Sequence, residues 1–235
     1  MQELKEIRIL VLEVTRRCNM CCAHCLRGEA QNMDMTKELL DKIFDNVLST
    51  VEYIDQVVFT GGEPTLNIPA IRYFFEKAEQ AEKLPTSFYI VTNGKENQEE
   101  LAIELLKMYP KMDEKDMCGL SLSIDEFHER NSKDPGKVNS ILRGLAFYTG
   151  DKEQSELSKR YLIKEGRAIE YSEMDENYKF RDPLPLDIES DDGAVEMLYI
   201  SANGNIVGDC DASFEHIDQA AKYNVDHFAG LEDEE

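Results

Sequence analysis

The chain has 235 residues, enough for one sizeable hydrophobic core, and its 48 acidic against 26 basic side chains give a formal net charge of −22. Nucleic-acid backbones and anionic membranes would repel such a chain, so we expect no nucleic-acid and no membrane partner, and solubility is the simplest explanation of the charge. Because the sequence shows no signal peptide and no apolar run long enough for a membrane span, we expect a cytoplasmic location, where clustered thiols indicate metal or redox chemistry.

Strand-like and helix-like patterns alternate along the first part of the chain. Buried strands are predicted at residues 7–14, 55–60, 86–92 and 119–125, with a shorter candidate at 160–163. Helices are predicted at 36–48, 69–83, 97–109 and 137–148, where apolar residues recur at helical spacing. Thr36 is a suitable N-cap for the first helix, and Pro69 suits the first turn of the second.

The order of elements changes after about residue 170. Residues 171–194 are polar and acidic and are predicted to form a loop. Two apolar segments around Asn203-Gly204 then predict a hairpin, because this dipeptide favours a tight turn. A helix is predicted at about 213–223, and the chain finishes in an acidic tail.

The β-α repetition predicts a parallel sheet with right-handed crossovers. The expected fold class is α/β: a partial (β/α)6-type TIM barrel with a C-terminal hairpin and helix. We expect one domain over residues 1–235, with a core at about 5–170 and an extension at about 194–225. A barrel with fewer than eight units is open at one side, which would suit a large substrate such as a peptide or protein.

Four of the six cysteines lie within eight positions, in the stretch VTRRCNMCCAHCLRGEA at 14–30. Cys18, Cys22 and Cys25 fit the spacing C-x3-C-x2-C directly after the first predicted strand. Thiolates ligate both iron–sulfur clusters and zinc, but structural zinc sites commonly use two separated pairs, and here there is one tight group. A four-iron cluster held by three cysteines keeps one iron open, and an open coordination position indicates chemistry.

This cysteine loop resembles the signature of the radical S-adenosylmethionine (radical SAM) superfamily. The resemblance implies that Cys18, Cys22 and Cys25 bind one [4Fe–4S] cluster and that S-adenosylmethionine chelates the open iron. His24 occupies a position that usually holds an aromatic ring, which makes it a candidate for cofactor contact. Cys21 is extra to the pattern and is not counted as a ligand.

The second predicted strand ends in FTGGEPTL at 59–66, which resembles the superfamily motif that holds the amino group of the methionine moiety. The resemblance implies this role for Gly61, Gly62 and Glu63. Two adjacent glycines also suit a backbone that approaches a ligand closely or turns sharply. A glutamate can accept hydrogen bonds from an ammonium group.

The third and fourth predicted strands end in VTNG and SLSIDEFHE, which resemble segments that line the cofactor pocket. Asn93, Ser123 and Asp125 are therefore candidates for the cofactor's carboxylate or ribose, and Arg130 and Arg167 are further possible carboxylate partners. The segments lie at the C-terminal ends of predicted parallel strands, where barrels of this kind build active sites.

The resemblance implies an enzyme in which one electron from the cluster cleaves S-adenosylmethionine to a 5′-deoxyadenosyl radical. That radical would remove hydrogen from a substrate that the sequence does not identify, either a small molecule or a peptide. A donor such as flavodoxin or ferredoxin would supply the electron.

Two alternatives stay open. In the first, a non-enzymatic zinc or electron-transfer protein uses Cys18, Cys21, Cys22 and Cys25 as four ligands, although two adjacent cysteines bind one metal only with awkward geometry. In the second, the chain is a cluster-free interaction protein, against which the intact cysteines and the intact GGEP argue.

Overall fold

The computed structural model describes residues 3–124, 140–152, 162–170, 186, 188–189 and 193–228. These residues form a nine-stranded sheet in the order β5-β4-β3-β2-β1-β7-β8-β9, with β6 paired to β7. The strands are β1 Glu6–Thr15, β2 Tyr53–Gly61, β3 Ser87–Thr92, β4 Gly119–Ser123, β5 Tyr148–Lys152, β6 Ile188–Glu189, β7 Ala194–Ile200, β8 Asn205–Val207 and β9 Tyr223–Asn224.

The six strands from β5 to β7 in this order pair in parallel, and β6, β8 and β9 pair antiparallel. The two ends of the strand order, β5 and β9, do not pair within the described residues, so the sheet there is open. The fold class is therefore the predicted α/β type, with a mostly parallel sheet. Among described residues, no helix has the length and apolarity needed to cross a membrane.

The helices are α1 Lys37–Lys42, α2 Ile68–Gln80, α3 Gln98–Met108, α4 Ser140–Arg143 and α5 Phe214–Ala220, and α1 continues into a π-helical turn at Ile43–Val47. Thr36 caps α1 as predicted, because its side chain accepts a hydrogen bond from the backbone N–H of Leu39. Pro69 lies in the first turn of α2, also as predicted.

Side chains alternate between the two faces of the sheet, and each face has a different cover. Leu10, Leu12 and Val14 of β1 belong to the large core that also contains the buried residues of α1, α2 and α3. Val11 of β1 points to the second face and packs with Tyr199 of β7 and Ile217 of α5. The C-terminal helix therefore covers part of the face opposite the large core.

The fifth strand is not where the pattern predicted it. Tyr148–Lys152 forms β5 beside β4, whereas the predicted helix 137–148 is described only as α4, Ser140–Arg143. Leu162 and Ile163, from the predicted strand 160–163, lie in no strand, and residues 160 and 161 are outside the described residues. β5 ends the strand order and has the polar sequence YTGDK, so it lacks the apolar run that marks a strand buried on both faces.

The C-terminal part contains the predicted hairpin, β7 and β8 around Asn203-Gly204, and the predicted helix, α5. One arm of this hairpin is also the sixth parallel strand, because β7 pairs in parallel with β1. Ile188–Glu189, within the segment predicted as a loop, forms the short strand β6.

Candidate active site

A cavity of about 510 Å³ lies where β1, β2, β3 and β4 end. Its lining includes ten residues that the sequence singles out: Cys18, Cys22, His24, Cys25, Gly61, Gly62, Glu63, Asn93, Ser123 and Arg167. Asp125 and Arg130 lie outside the described residues. The C-terminal edge of the parallel sheet thus brings together segments that are far apart in the chain, as in other α/β folds.

The cysteine loop is closed at its base by backbone hydrogen bonds. The N–H of Arg16 donates to Met33 O (2.8 Å), and the N–H of Gln31 donates to Arg16 O (3.0 Å). The N–H of Met35 donates to Val14 O (2.9 Å). Because both ends of the loop are held at the end of β1, its cysteines are directed over the rim of the sheet.

The cysteines differ in their access to the cavity. Cys22 is buried, Cys18 and Cys25 are half-buried, and all three line the cavity, whereas Cys21 is exposed and is not part of the lining. Burial raises the pKa of the Cys18 thiol to about 11. A thiol ligand must lose its proton to bind a metal, and the charge of a bound iron offsets that cost.

The spacing of the sulfurs bears on the kind of metal group that they suit. Four sulfurs around one zinc ion lie about 3.8 Å apart, given a Zn–S distance of about 2.3 Å. Among described residues, the one group of three metal-ligating atoms that all lie within 4.8 Å of one another is Asp209, Cys210 and Asp211. Cys18, Cys22 and Cys25 do not form such a group as their side chains stand, and ligands of different irons in a cluster need not converge on one point.

Gly61 and Gly62 allow the rim of β2 to contact the base of the cysteine loop. A Cβ at Gly61, where φ is +146°, would lie 2.0 Å from Thr15 O, and a Cβ at Gly62 would lie 2.3 Å from Arg17 O. The N–H of Gly62 donates to Thr15 O and that of Glu63 to Arg17 O, both at 2.8 Å. The close approach that these glycines permit is thus between two segments of the chain itself, in addition to their place in the cavity wall.

Glu63 is 2% exposed, and its carboxylate is held by four hydrogen bonds. Oε1 accepts from the N–H (3.1 Å) and hydroxyl (2.8 Å) of Thr65 and from the hydroxyl of Thr92 (2.5 Å). Oε2 accepts from the N–H of Asn93 (2.8 Å). Burial raises the pKa of Glu63, and these four donors oppose the rise. Oε2 accepts one hydrogen bond against three for Oε1, so Oε2 is the oxygen with capacity for a further donor.

Asn93 joins the rim of β3 to the cysteine loop. Its side-chain amide donates to Asn19 Oδ1 (2.8 Å), and its Oδ1 accepts from the N–H of Lys95 (3.0 Å). Ser123, the last residue of β4, is half-buried in the cavity wall. The structure therefore gives Asn93 a part in positioning the loop, beyond its predicted contact with a cofactor.

The residues around Gly166 form a further part of the cavity wall, which includes the candidate residue Arg167. A Cβ at Gly166 would lie 2.4 Å from Leu26 O, and the N–H of Arg167 donates to Cys25 O at 2.9 Å. The Arg167 side chain donates to Cys22 O (3.0 Å) and pairs with Glu29 (3.1 Å). The φ of +52° at Gly166 favours glycine, and the close approach that this glycine permits is to the cysteine loop.

A buried ionic network beneath the cysteine loop was also missed. Arg16 is fully buried; it donates to Glu13 (2.6 Å) and, through two nitrogens, to Asp218 of α5 (2.6 and 2.8 Å). Tyr199 of β7 donates its hydroxyl to the same Glu13 carboxylate. The Arg16–Asp218 contact spans 202 residues, so no local pattern indicates it.

The fold and this cavity define an α/β protein with an open parallel sheet and a three-cysteine site at its C-terminal rim. The sequence profile described as "Radical SAM superfamily" matches residues 12–148, which is more than half of the chain. The chain belongs to the radical SAM superfamily.

Two curated proteins and one solved structure illustrate the similarity. An uncharacterised protein of Methanocaldococcus jannaschii, MJ0907, is 39% identical over 62 residues, which is 26% of this chain and 21% of that protein. The Fe-coproporphyrin III synthase of Methanosarcina barkeri is 29% identical over 147 residues, or 58% of this chain and 33% of its own length. The chain thus spans a third or less of these two relatives.

Among solved structures, BtrN in complex with AdoMet and 2-DOIA superposes with a TM-score of 0.54 and 17% sequence identity. The superposition covers 97% of this chain and 81% of that chain. At this level of identity, the likeness concerns the fold alone.

Proposed function

We propose that the protein is an enzyme that binds one [4Fe–4S] cluster through Cys18, Cys22 and Cys25, with S-adenosylmethionine beside it. The observation that carries the proposal is that these cysteines and the Glu63 carboxylate line one cavity. When bound, the two groups together supply a 5′-deoxyadenosyl radical that removes a hydrogen atom from the substrate. The exposure of Cys21, which lies outside the cavity lining, argues against the four-ligand zinc alternative.

The protein's part in this reaction is to bind and orient. Glu63 Oε2 would accept a hydrogen bond from the ammonium group of S-adenosylmethionine, and Thr65, Thr92 and Asn93 keep that carboxylate in one orientation. Ser123 would donate its hydroxyl to the ligand's carboxylate or ribose. From the sequence resemblance, we propose the same role for Asp125 and a contact with the cofactor for His24.

Water must be kept from a reactive radical, and the cavity wall contains apolar side chains that would serve this purpose. Met20, Leu26, Leu162 and Phe214 line it beside the polar residues. Closure by the substrate itself would complete the exclusion of water.

The test begins with strict anoxia. The purified protein is reconstituted with iron and sulfide, and its iron content, absorption spectrum and electron spin resonance spectrum are recorded. We then expect 5′-deoxyadenosine when S-adenosylmethionine and dithionite are added. A colourless protein that retains one zinc ion would contradict the proposal.

Adjacent cysteines provide a matched pair of variants. Cys22→Ala should abolish the cluster and the formation of 5′-deoxyadenosine, because Cys22 is buried in the cavity wall. Cys21→Ala should retain both, because Cys21 is exposed and outside that wall. Loss of iron in Cys21→Ala would show that the ligand assignment is wrong.

We further propose that the chain is one radical SAM domain over residues 1–235, with a core at about 5–170 and an extension at about 194–225, located in the cytoplasm. A donor such as flavodoxin or ferredoxin would deliver the electron. The open sheet would let a small molecule or part of a peptide reach the rim. The formal net charge of −22 supports the expectation of no nucleic-acid and no membrane partner.

A further inference from the structure

The cavity wall contains more positive than negative side chains, although the chain as a whole is strongly acidic. Among described residues, the charged side chains in its lining are Arg16, Arg27 and Arg167 against Glu63. A cavity whose fixed charges oppose those of the surrounding protein is suited to bind an anion. The three guanidinium groups differ in how far the protein itself neutralises them.

Arg16 and Arg167 each have a carboxylate partner. Arg16 is held between Glu13 and Asp218. Arg167 pairs with Glu29 at 3.1 Å and donates to Cys22 O. Both side chains therefore serve contacts within the protein.

Arg27 is positioned differently. Its guanidinium carbon lies 5.2 Å from the centroid of the Tyr199 ring, and one nitrogen donates to Ala212 O at 2.8 Å. Its own carbonyl accepts a hydrogen bond from the N–H of Phe214 (3.2 Å). The C-terminal segment thus holds Arg27 both at its guanidinium and at its backbone carbonyl, so the orientation of the side chain is fixed before a ligand binds.

Within the described part of the chain, no carboxylate is hydrogen-bonded to Arg27. The buried carboxylate nearest in the network, Glu13, accepts instead from Arg16 Nε (2.6 Å), the N–H of Ala202 (3.0 Å) and the Tyr199 hydroxyl. A guanidinium has five N–H donors, and one of those of Arg27 is used by Ala212. The remaining donors are available to a planar acceptor such as a carboxylate.

The position of Arg27 separates it from the groups assigned to S-adenosylmethionine. Glu63 follows β2 and is hydrogen-bonded to the end of β3, whereas Arg27 stacks on Tyr199 of β7. The strand order is β3-β2-β1-β7, so β7 and β2 are two strand spacings, or about 10 Å, apart. The cavity spans this distance, because both groups are in its wall.

We propose that Arg27 binds a carboxylate of the substrate, so that the substrate is a carboxylic acid held on the β7 side of the cavity. The assignment rests on the proposed function, since it places S-adenosylmethionine at Glu63. It makes Arg27 a specificity-determining residue that favours acids over their neutral amides. The competing source of the same chemistry is the carboxylate of S-adenosylmethionine itself.

The test uses the reconstituted protein under anoxia without reductant, so that no turnover is needed. Arginine side chains are labelled with phenylglyoxal, and the labelled positions are quantified by peptide mass spectrometry. Benzoate and benzamide serve as a charged and a neutral probe of the same shape. Arg8, which is exposed and pairs with Glu196, is the internal reference for reagent reactivity.

We expect Arg27 to be labelled both with and without S-adenosylmethionine. Benzoate at about ten times its dissociation constant should slow the labelling of Arg27 about tenfold, because only about a tenth of the sites then remain free. Benzamide should have little effect, and labelling of the reference site should not change. Protection by S-adenosylmethionine alone would overturn the proposal, since the carboxylate would then be the cofactor's. Equal effects of the two probes, or no labelling of Arg27, would also overturn it.

A second measurement separates binding from folding. Benzoate should raise the melting temperature of the wild type and of Arg27→Lys more than benzamide does, and Arg27→Gln should lose that difference. Persistence of the difference in Arg27→Gln would overturn the assignment. If the wild type forms no 5′-deoxyadenosine in the separate cleavage assay, the proposed function fails, whereas the labelling pattern tests Arg27 in either case.

Discussion

Asp218→Asn tests whether the C-terminal helix supports the cysteine loop through Arg16. The substitution keeps the shape of the side chain but removes the charge that faces a fully buried guanidinium. Two charge-assisted hydrogen bonds, at 2.6 and 2.8 Å, are lost or become neutral. Each such change costs about 1 kcal/mol, and because the Asp218 side chain is 35% exposed, screening keeps the total loss of unfolding free energy at about 2 kcal/mol.

The assay is thermal unfolding of the reconstituted protein under anoxia. A loss of about 2 kcal/mol lowers the melting temperature of a chain of this size by about 4–8 °C. Asp226→Asn is the matched control, since its partner Lys42 and Asp226 itself are both about half exposed, and we expect a shift within about 1–2 °C. Equal shifts in the two variants, or an unchanged Asp218→Asn, would refute the reasoning.

The difference in stability between the wild type and Asp218→Asn should also depend on pH. Burial tends to raise the pKa of Asp218, but the hydrogen bonds from Arg16 and Asn203 outweigh it, so the folded-state pKa lies below the usual value. The contribution of such a group is present above the unfolded-state pKa, about 3.9, and is lost as pH falls through the lower folded-state pKa. The wild type and Asp218→Asn should therefore differ by a constant amount near neutral pH and converge in strong acid.

Two further predictions concern the cysteine loop and the end of β2 that contacts it. Gly61→Ala should lower the free energy of unfolding by about 3–5 kcal/mol, because the new Cβ would lie 2.0 Å from a backbone oxygen. Gly150 is also at positive φ, but no atom lies within 4 Å of a Cβ there, so Gly150→Ala should lower it by about 1–2 kcal/mol. Urea denaturation measures both losses, and similar values would contradict the steric argument. In the metal-free protein at pH 8, iodoacetamide should label Cys18 much more slowly than the exposed Cys21. The rate at Cys18 should rise as the pH approaches the pKa of its thiol, about 11. Rapid labelling of Cys18 at pH 8 would show that burial does not control the reactivity of this thiol.

The elements that sequence patterns predict well are those buried on both faces or amphipathic over several turns. β1 to β4 and α2 and α3 lie within a few residues of the predicted ranges, because their apolar residues repeat locally. β5 was missed because YTGDK ends the strand order and is polar. The pairing of β7 with β1 depends on residues far apart in the chain, which no local pattern records.

The candidate site likewise contains residues that local motifs predict and residues that they do not. Its cysteines, Glu63 and Asn93 lie in short motifs at strand ends, so their convergence follows from the parallel sheet. The supports of the site are non-local: Asp218 reaches Arg16, and Arg167 reaches the carbonyl of Cys22. Residue types alone do not indicate such contacts, since a buried arginine and an exposed one read alike in a sequence.

The contact between Arg16 and Asp218 orders events during biosynthesis. Asp218 is added to the growing polypeptide 202 residues after Arg16, which at bacterial or eukaryotic ribosome speeds is a delay of about 10–40 s. During that interval the nascent thiols lack the helix that later sits under them. If the thiols bind iron as proposed, the supported binding site is complete only once translation has passed this helix, and metal binding would follow it.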